Sequence, residues 1–428
     1  MSERLKTLVI GGGGREHALV WKIAQSPRVE KIYCAPGNPG IAVLAECVDI
    51  KPGDVKSLAD FAEQNAVDLS VVGPESPLIA GVVDEFETRG LAIFGPCKAA
   101  AALEGSKAFT KDLLKDNDIP TAAYETFSAY DEAEAYVEDH FLQNASPIVV
   151  KADGEAAGKG VYICHSVSEA LAGLEAAMVD RVFGASGERV VVEEYLEGPE
   201  ATIMGLVDGD TLATLIPVQD YKRVFDNDEG PNTGSMGCYA PVPAVTDDVR
   251  DFVAEEIMVP TLEALKRRGI PFKGVLYAGV ILTNDGPKLL EYNCRFGDPE
   301  TQVIMPLLES DLVELALAVI DGRLDECEVK WYNKSAVCVV IASGGYPGDY
   351  ETGKPIDGLE DAASTGAIVF HAGTKTHEGA IVTGGGRVLG VTALGDGYRD
   401  AIKRAYTAAD KIHFENAHMR RDIGRRLL

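Results

Sequence analysis

Chemistry-bearing side chains are densest in the run Lys288-Leu289-Leu290-Glu291-Tyr292-Asn293-Cys294-Arg295-Phe296-Gly297-Asp298-Pro299-Glu300-Thr301-Gln302. Alternate residues of a strand share a face, so Glu291, Asn293 and Arg295 project together, with Leu290, Tyr292, Cys294 and Phe296 on the other side. A carboxylate, an amide carbonyl and a guanidinium in a row suit neither a solvated face nor a core. Around a triphosphate they make sense. Glu291 and Asn293 offer the hard oxygens that Mg²⁺ takes, with phosphates and water completing its shell. Arg295 offers a fork for oxyanions. The plain alternative is a salt-bridged strand of little consequence. Asp298-Pro299-Glu300 then reads as a helix start, with an N-cap and proline in the first turn.

A second group lies at Lys151-Ala152-Asp153-Gly154-Glu155-Ala156-Ala157-Gly158-Lys159-Gly160. It departs from the P-loop GxxxxGK[ST]: only three residues separate Gly154 from Gly158, Gly160 stands where a hydroxyl would hold magnesium, and a strand follows in place of a helix. The pattern predicts a flap between two strands. Its amides and Lys159 would cover phosphates from above, and Lys151 would end a strand pointing into the same space. Farther on, Glu193, Glu194, Tyr195, Leu196, Glu197 and Glu200 close an apolar strand. Glu197 reads as a solvated strand-end acid, and Glu200 as an acceptor for ribose hydroxyls.

The third group, Gly11-Gly12-Gly13-Gly14-Arg15-Glu16-His17, follows an apolar strand and opens a helix, a junction whose amides and dipole bind phosphate. It is not a dinucleotide fingerprint. The sixth position of GxGxxG falls on Glu16 or His17, and Pro36-Gly37-Asn38 ends the second strand where an acid is required. A monophosphate or similar anion fits better; a tight turn without a ligand is the plain alternative.

The elements that position these groups follow from apolar periodicity. Residues 5–96 alternate strands (7–10, 31–34, 69–72, 91–94) with helices (15–25, 54–65, 78–89), the rhythm of a doubly wound parallel sheet. A helix over 106–117 leads to a lobe over about 121–196, then a hairpin (201–207, 211–216), a long loop over 220–241 and a helix to about 268. Asn284-Asp285-Gly286 joins the strands 274–283 and 288–296. The last hundred residues mix strands (336–342, 367–371, 387–392) with an amphipathic helix.

Bulk composition narrows the partners. Forty Lys plus Arg against 67 Asp plus Glu give a net charge of −27, which repels nucleic acid and anionic lipid. Neither is expected as a partner. Eight scattered cysteines without a CxxC pair point away from zinc and disulfides and toward a reducing cytoplasm. No signal-peptide core or run of about 20 apolar residues is present.

Together these segments resemble the ATP-grasp ligases and, within them, the glycinamide ribonucleotide synthetase family of purine biosynthesis. The likeness runs the length of the chain, and Arg295–Gln302 is its most specific stretch. It implies an α/β fold with three parts: a phosphoribosylamine-binding parallel-sheet domain (1–104), a two-lobed ATP-grasp module (105–329) with a mobile lid near 121–196, and a small α+β domain (330–428). It further implies ATP, glycine and 5-phosphoribosylamine as substrates, Mg²⁺ or Mn²⁺ on Glu291 and Asn293, and a monomer. By position, Lys107 and Lys151 would hold ATP phosphates with Gly158 and Lys159 above them. Glu193, Glu194, Tyr195 and Leu196 would receive adenine, and Glu200 the ribose. Gly13, Gly14, Gly73, Pro74 and Glu75 would face the phosphoribosylamine, with Asp220 and Lys222 toward glycine or the sugar phosphate and Arg295 at the reacting phosphoryl group. Two residues depart from the family's pattern: Glu155 stands where an apolar residue is expected, and Ser235 where glycine is. Strand 274–283 has no acid, so one metal is expected. Competing readings are an ATP-grasp carboxylase that activates bicarbonate for an aminoimidazole ribonucleotide, a nucleotide-binding regulator without turnover, and a redox enzyme.

Overall fold

The computed structural model describes residues 4–144, 146–154 and 160–428. In it the first apolar runs pair as Leu5–Gly11, Val29–Pro36, Glu46–Cys47, Leu69–Val72 and Ile93–Phe94. They form one parallel sheet in the spatial order third, second, first, fourth, fifth. Leu8, Val9 and Ile10 are all fully buried, as a parallel sheet covered on both faces requires. The single helix expected over 78–89 is two, Glu75–Ala80 and Val82–Thr88. Gly81 at φ 96° takes the left-handed conformation that ends the first of them.

Two antiparallel four-stranded sheets follow. The first joins Tyr124–Phe127, Val190–Glu194, Ile148–Ala152 and Val161–Cys164 in that spatial order, backed by the helices Tyr130–Gln143 and Val167–Leu174. Its apolar core, with Val137, Ile148, Val150, Leu174 and Val192, shares no residue with the other cores. The second joins Leu212–Thr214, Glu200–Asp208, Lys273–Thr283 and Gly286–Asn293. Thr121 bridges the two: its backbone pairs with Leu289, its hydroxyl donates to Leu289 O (2.8 Å), and Leu289 N donates to Pro120 O (2.9 Å).

The carboxy-terminal sheet is built on Ser335–Ser343 and Arg387–Gly395, with the amphipathic helix Tyr398–Ala409 packing through Ala401, Ala405 and Ala408. The segment 220–241, read from sequence as a loop, is largely strand. Gln219–Asp220 and Gly237–Ala240 extend this sheet, and Arg223–Phe225 pairs with Glu229–Asn232. Asn227 and Asp228, both at positive φ, make that hairpin's turn, and its Gly and Pro residues hide the pattern. Buried Arg420 holds it from behind, donating to Arg223 O and Asp228 (both 3.0 Å). Among the described residues no helix is long and apolar enough to cross a membrane.

Candidate active site

A cavity of about 630 Å³ opens between the two antiparallel sheets and is closed at one end by residues of the amino- and carboxy-terminal parts. That volume suits a nucleotide-sized ligand. Glu291, Asn293 and Arg295 all line it, although not through one regular strand. Gly279 pairs with Glu291 and Val280 with Leu289, so Leu290 is an extra residue at a β-bulge. The predicted alternation is corrected there: Leu289 enters the core (1% exposed) and Leu290 lines the cavity beside Glu291. The strand ends at Asn293, and Arg295 reaches the cleft from the bend beyond it. The following helix starts at Thr301 with Glu300 as its N-cap, so Asp298-Pro299 forms a turn and not the helix start expected.

Arg295 is engaged by acids. It contacts Glu104 at 2.9 Å and Glu75 at 3.1 Å, and its Nη2 lies 3.3 Å from Asn293 Oδ1. Glu104 also accepts the Cys294 amide (2.7 Å). Burial pushes the Glu104 carboxyl above the ordinary range, and Arg295 only partly offsets this. For Glu75 burial acts the same way, but Arg295 and Arg15 outweigh it and hold the carboxyl low. Glu291 differs. Its carboxylate is exposed into the cleft and, among the described residues, makes no hydrogen bond or ion pair. No cluster of three His, Cys, Asp or Glu residues that would hold a metal by itself occurs there either. An unpaired carboxylate beside an amide oxygen fits a hard divalent cation that takes its remaining oxygens from phosphates and water.

Lysines face this pair across the cavity. Lys107 Nζ donates to Gly154 O (2.9 Å), and Lys151 and Lys111 contact Glu193 at 2.9 and 3.1 Å. Burial lowers the Lys107 ammonium and pulls Lys111 down to about 8 despite Glu193. For Lys151, Glu193 outweighs burial and the ammonium is held above its usual value. Ser106 caps the helix Lys107–Lys115 that presents two of these cations (Phe109 N to Ser106 Oγ, 3.1 Å). Asp153, at the lobe's edge, accepts from Ala108 N (3.1 Å) and Arg189 Nε (2.7 Å).

Tyr195, Leu196 and the exposed acids Glu194 and Glu200 line the same cavity. Glu194 meets Lys288 at 3.3 Å, and Lys222 bridges Glu200 (3.0 Å) and Asp220 (2.8 Å). Lys222 holds the Glu200 carboxyl below its usual range. Gly13, Gly14, Gly73 and Pro74 do not line the cavity, whereas Glu75 does. The two amino-terminal loops converge instead on Glu16, whose carboxylate accepts the Gly13 amide at 2.5 Å. A Cβ on Gly73 would stand 2.1 Å from its Oε1. Glu16 thus occupies the helix start read from sequence as an anion site. Glu155, Gly158 and Lys159 lie outside the described residues. Ser235 sits at φ 83°, the left-handed region in which glycine was expected. Its hydroxyl accepts from Tyr221 N (3.1 Å) and donates to Gly237 O (3.0 Å).

Several lining residues escape the sequence reading: Arg15, Glu104, Lys111, Asp298, Glu300 and Arg387. Lys111 stands one helical turn from Lys107, a spacing that puts both on one face. Arg15 and the pair Asp298/Glu300 lie inside motifs read only for backbone shape. Arg387 follows the glycine triplet 384–386 and donates to Gly234 O and Asp298 O.

Known proteins share this arrangement. Three profiles of phosphoribosylglycinamide synthetase match in order: the N domain over residues 5–104, the ATP-grasp (A) domain over 105–301 and the C domain over 336–426. The chain is 51% identical to a phosphoribosylamine–glycine ligase of Caldanaerobacter subterraneus, over 98% of this chain and 99% of the relative. It is 49% identical to that of Escherichia coli, over 99% of each. The crystal structure of a phosphoribosylamine–glycine ligase from Thermotoga maritima superposes with a TM-score of 0.84 at 33% identity, over 98% of this chain and 100% of that one. An N5-carboxyaminoimidazole ribonucleotide synthetase from the same organism, covering 96% of this chain and 99% of its own, shares the fold alone (TM-score 0.63, 18% identity). By profile, sequence and architecture, the chain belongs to the phosphoribosylglycinamide synthetase family of ATP-grasp enzymes.

Proposed function

We propose that this cleft joins glycine to 5-phosphoribosylamine in two steps, giving glycinamide ribonucleotide, ADP and phosphate. The chain is an ATP-dependent carbon–nitrogen ligase of purine biosynthesis. A carboxylate does not condense with an amine at neutral pH until its oxygen becomes a leaving group. In the first step glycine's carboxylate attacks the γ-phosphoryl group of ATP, forming glycyl phosphate. In the second the amine attacks the acyl carbon and phosphate leaves. The observation that carries this reading is the convergence of Glu291, Asn293 and Arg295 on one cavity, opposite Lys107, Lys111 and Lys151.

Phosphoryl transfer depends on positioning and charge neutralisation. Lys107 and Lys151 would hold the phosphates, with Gly158 and Lys159 of the flap over them. Glu193–Leu196 would receive adenine, and Glu200 the ribose. Glu291 and the Asn293 amide oxygen would hold a divalent ion, Mg²⁺ or Mn²⁺, which when bound neutralises triphosphate charge. Arg295 would meet the transferring phosphoryl group, with Asp220 and Lys222 beside glycine. Glu75, with the loops at Gly13, Gly14, Gly73 and Pro74, would border the phosphoribosylamine. The lobe 121–196, with its separate core, would close as a lid that keeps water from glycyl phosphate. The domains would divide near residues 104 and 329. The enzyme would act as a monomer. A reducing cytoplasm suits eight free cysteines.

A coupled ADP assay with glycine and freshly made phosphoribosylamine, omitting each in turn, tests the reaction. ADP formation is expected only with all three substrates at full rate. Steady ADP release indifferent to glycine would sink the reading.

A further inference from the structure

The two-step reaction leaves a proton without a destination. When the amine's lone pair forms the C–N bond at the acyl carbon, the C–O bond to phosphate breaks and its electron pair leaves with phosphate. The nitrogen, cationic after attack, must lose one proton to become an amide.

Among the described residues, the other enclosed carboxylates of the cleft contact a lysine or arginine: buried Glu193 meets Lys111 and Lys151, and the half-buried Glu104, Asp220 and Asp298 meet Arg295, Lys222 and Arg387. Glu300, only 4% exposed and lining the same cavity, has no such contact. It is oriented by a neutral donor instead. Tyr277 Oη donates to Glu300 Oε1 (2.9 Å) and accepts from Thr202 Oγ1 (2.9 Å), and both partners are buried. Room has been left for the other oxygen, since a Cβ on Gly297 would lie 2.4 Å from Glu300 Oε2.

We propose that Glu300 is the catalytic base that takes the proton from the attacking amine in the second step, an assignment that rests on the reaction proposed above. An unpaired carboxylate keeps its proton affinity, and burial together with Asp220 raises that of Glu300 further. Asp298, the neighbouring acid, is a poorer base: burial raises its carboxyl, but Arg387 and Arg15, together with the Gln302 Nε2 that donates to it (2.8 Å), outweigh burial and hold it low. Glu300 holds the proton until phosphate leaves and the cleft opens to solvent.

Rapid-quench kinetics with all three substrates tests this in Glu300→Gln, which preserves shape and an acceptor for Tyr277. ADP formed in the first turnover should stay within about threefold of the parent, while amide formation slows by about 10²- to 10⁴-fold, the range of general base catalysis. Tyr277→Phe, removing only the orienting hydroxyl, should slow amide formation selectively and to a smaller degree. ADP and amide slowing together in both variants would overturn the assignment, as would amide formation near the parent rate in Glu300→Gln. A greater selective loss in Asp298→Asn would move the role to Asp298. A parent that forms no amide would refute the reaction itself, a distinguishable failure.

Discussion

Replacing Arg295 by methionine perturbs both stability and chemistry, and the two effects can be separated. The substitution keeps an apolar stem but strands Glu104, whose side chain is only 10% exposed and which faces Arg295 at 2.9 Å. Breaking a buried pair by removing one partner typically costs about 3–5 kcal/mol, because the remaining charge is left uncompensated. Glu75, 27% exposed on its side chain, can still reach water and adds little. Neutralising the stranded group should reverse most of the loss, so Arg295→Met/Glu104→Gln is expected within about 1–2 kcal/mol of the parent. Activity should not recover: losing an electrostatic contact to the transferring phosphoryl group costs about 10²–10³ in rate. The sign of the pH effect follows from Glu104. Its carboxyl is already raised in the folded protein, first by burial, and loss of Arg295 raises it further. Such a group's stability contribution is complete below its unfolded value, about 4.3, and is lost as pH rises through the folded value. The single variant's deficit relative to the parent should therefore shrink from pH 8 toward pH 5. Urea denaturation followed by circular dichroism, alongside the coupled ADP assay, measures both. Recovery of more than about a third of parental activity in the double variant would refute a direct role for Arg295.

Glu291→Gln should weaken divalent-ion binding, raising the half-saturating Mg²⁺ concentration by at least the 10–100-fold typical of outer-shell partners, as read by metal titration of turnover; an unchanged titration would remove Glu291 from the metal site. Lys111 releases its proton near pH 8 when folded, because of burial, but near 10.4 when unfolded. Between these values the unfolded chain binds more protons and the group makes stability rise with pH; urea melts of Lys111→Met across pH 8–10 should show a flatter rise than the parent. Gly40→Ala would place a Cβ 2.5 Å from the rings of buried His17 and half-buried His371, neighbours from the amino- and carboxy-terminal parts. Overpacking of this kind costs about 1–3 kcal/mol, which thermal unfolding would detect.

What the sequence disclosed was governed by how local the relevant physics is. The parallel sheet, the strands of the lobe over 121–196 and the hairpin at Asn284-Asp285-Gly286 were legible because apolar runs and turn residues carry them directly. The cleft face of Glu291 and Asn293 was legible for the same reason, although the bulge at Leu290 was not, since a bulge depends on the partner strand's register. Long-range pairing hid the rest. Nothing near Glu104 announces that it will meet Arg295, 191 positions farther along the chain, and nothing near Glu16 announces that it will fill the glycine loop. The strands within 220–241 escaped notice because they are two to four residues long; Gln219–Asp220 and Gly237–Ala240 gain their order from the carboxy-terminal sheet, and Arg223–Phe225 and Glu229–Asn232 pair only with each other. Glycine was expected at Ser235 on family pattern, and the left-handed backbone there supplies the reason; the serine holds the same conformation through its hydroxyl.

The bulge in the hairpin makes the site sensitive to parity. Counting outward from Leu289 in the core, Leu290 is the one residue whose removal leaves Glu291 and Asn293 facing the cleft and Tyr292 facing inward. Deleting Tyr292 instead would turn the Asn293 amide into the hydrophobic interior, where an unsatisfied polar group is costly. Insertions and deletions in this ladder are therefore unequal events: loss of the bulge residue keeps the cleft face, whereas the spacing between Glu291 and Asn293 is constrained as tightly as their identity.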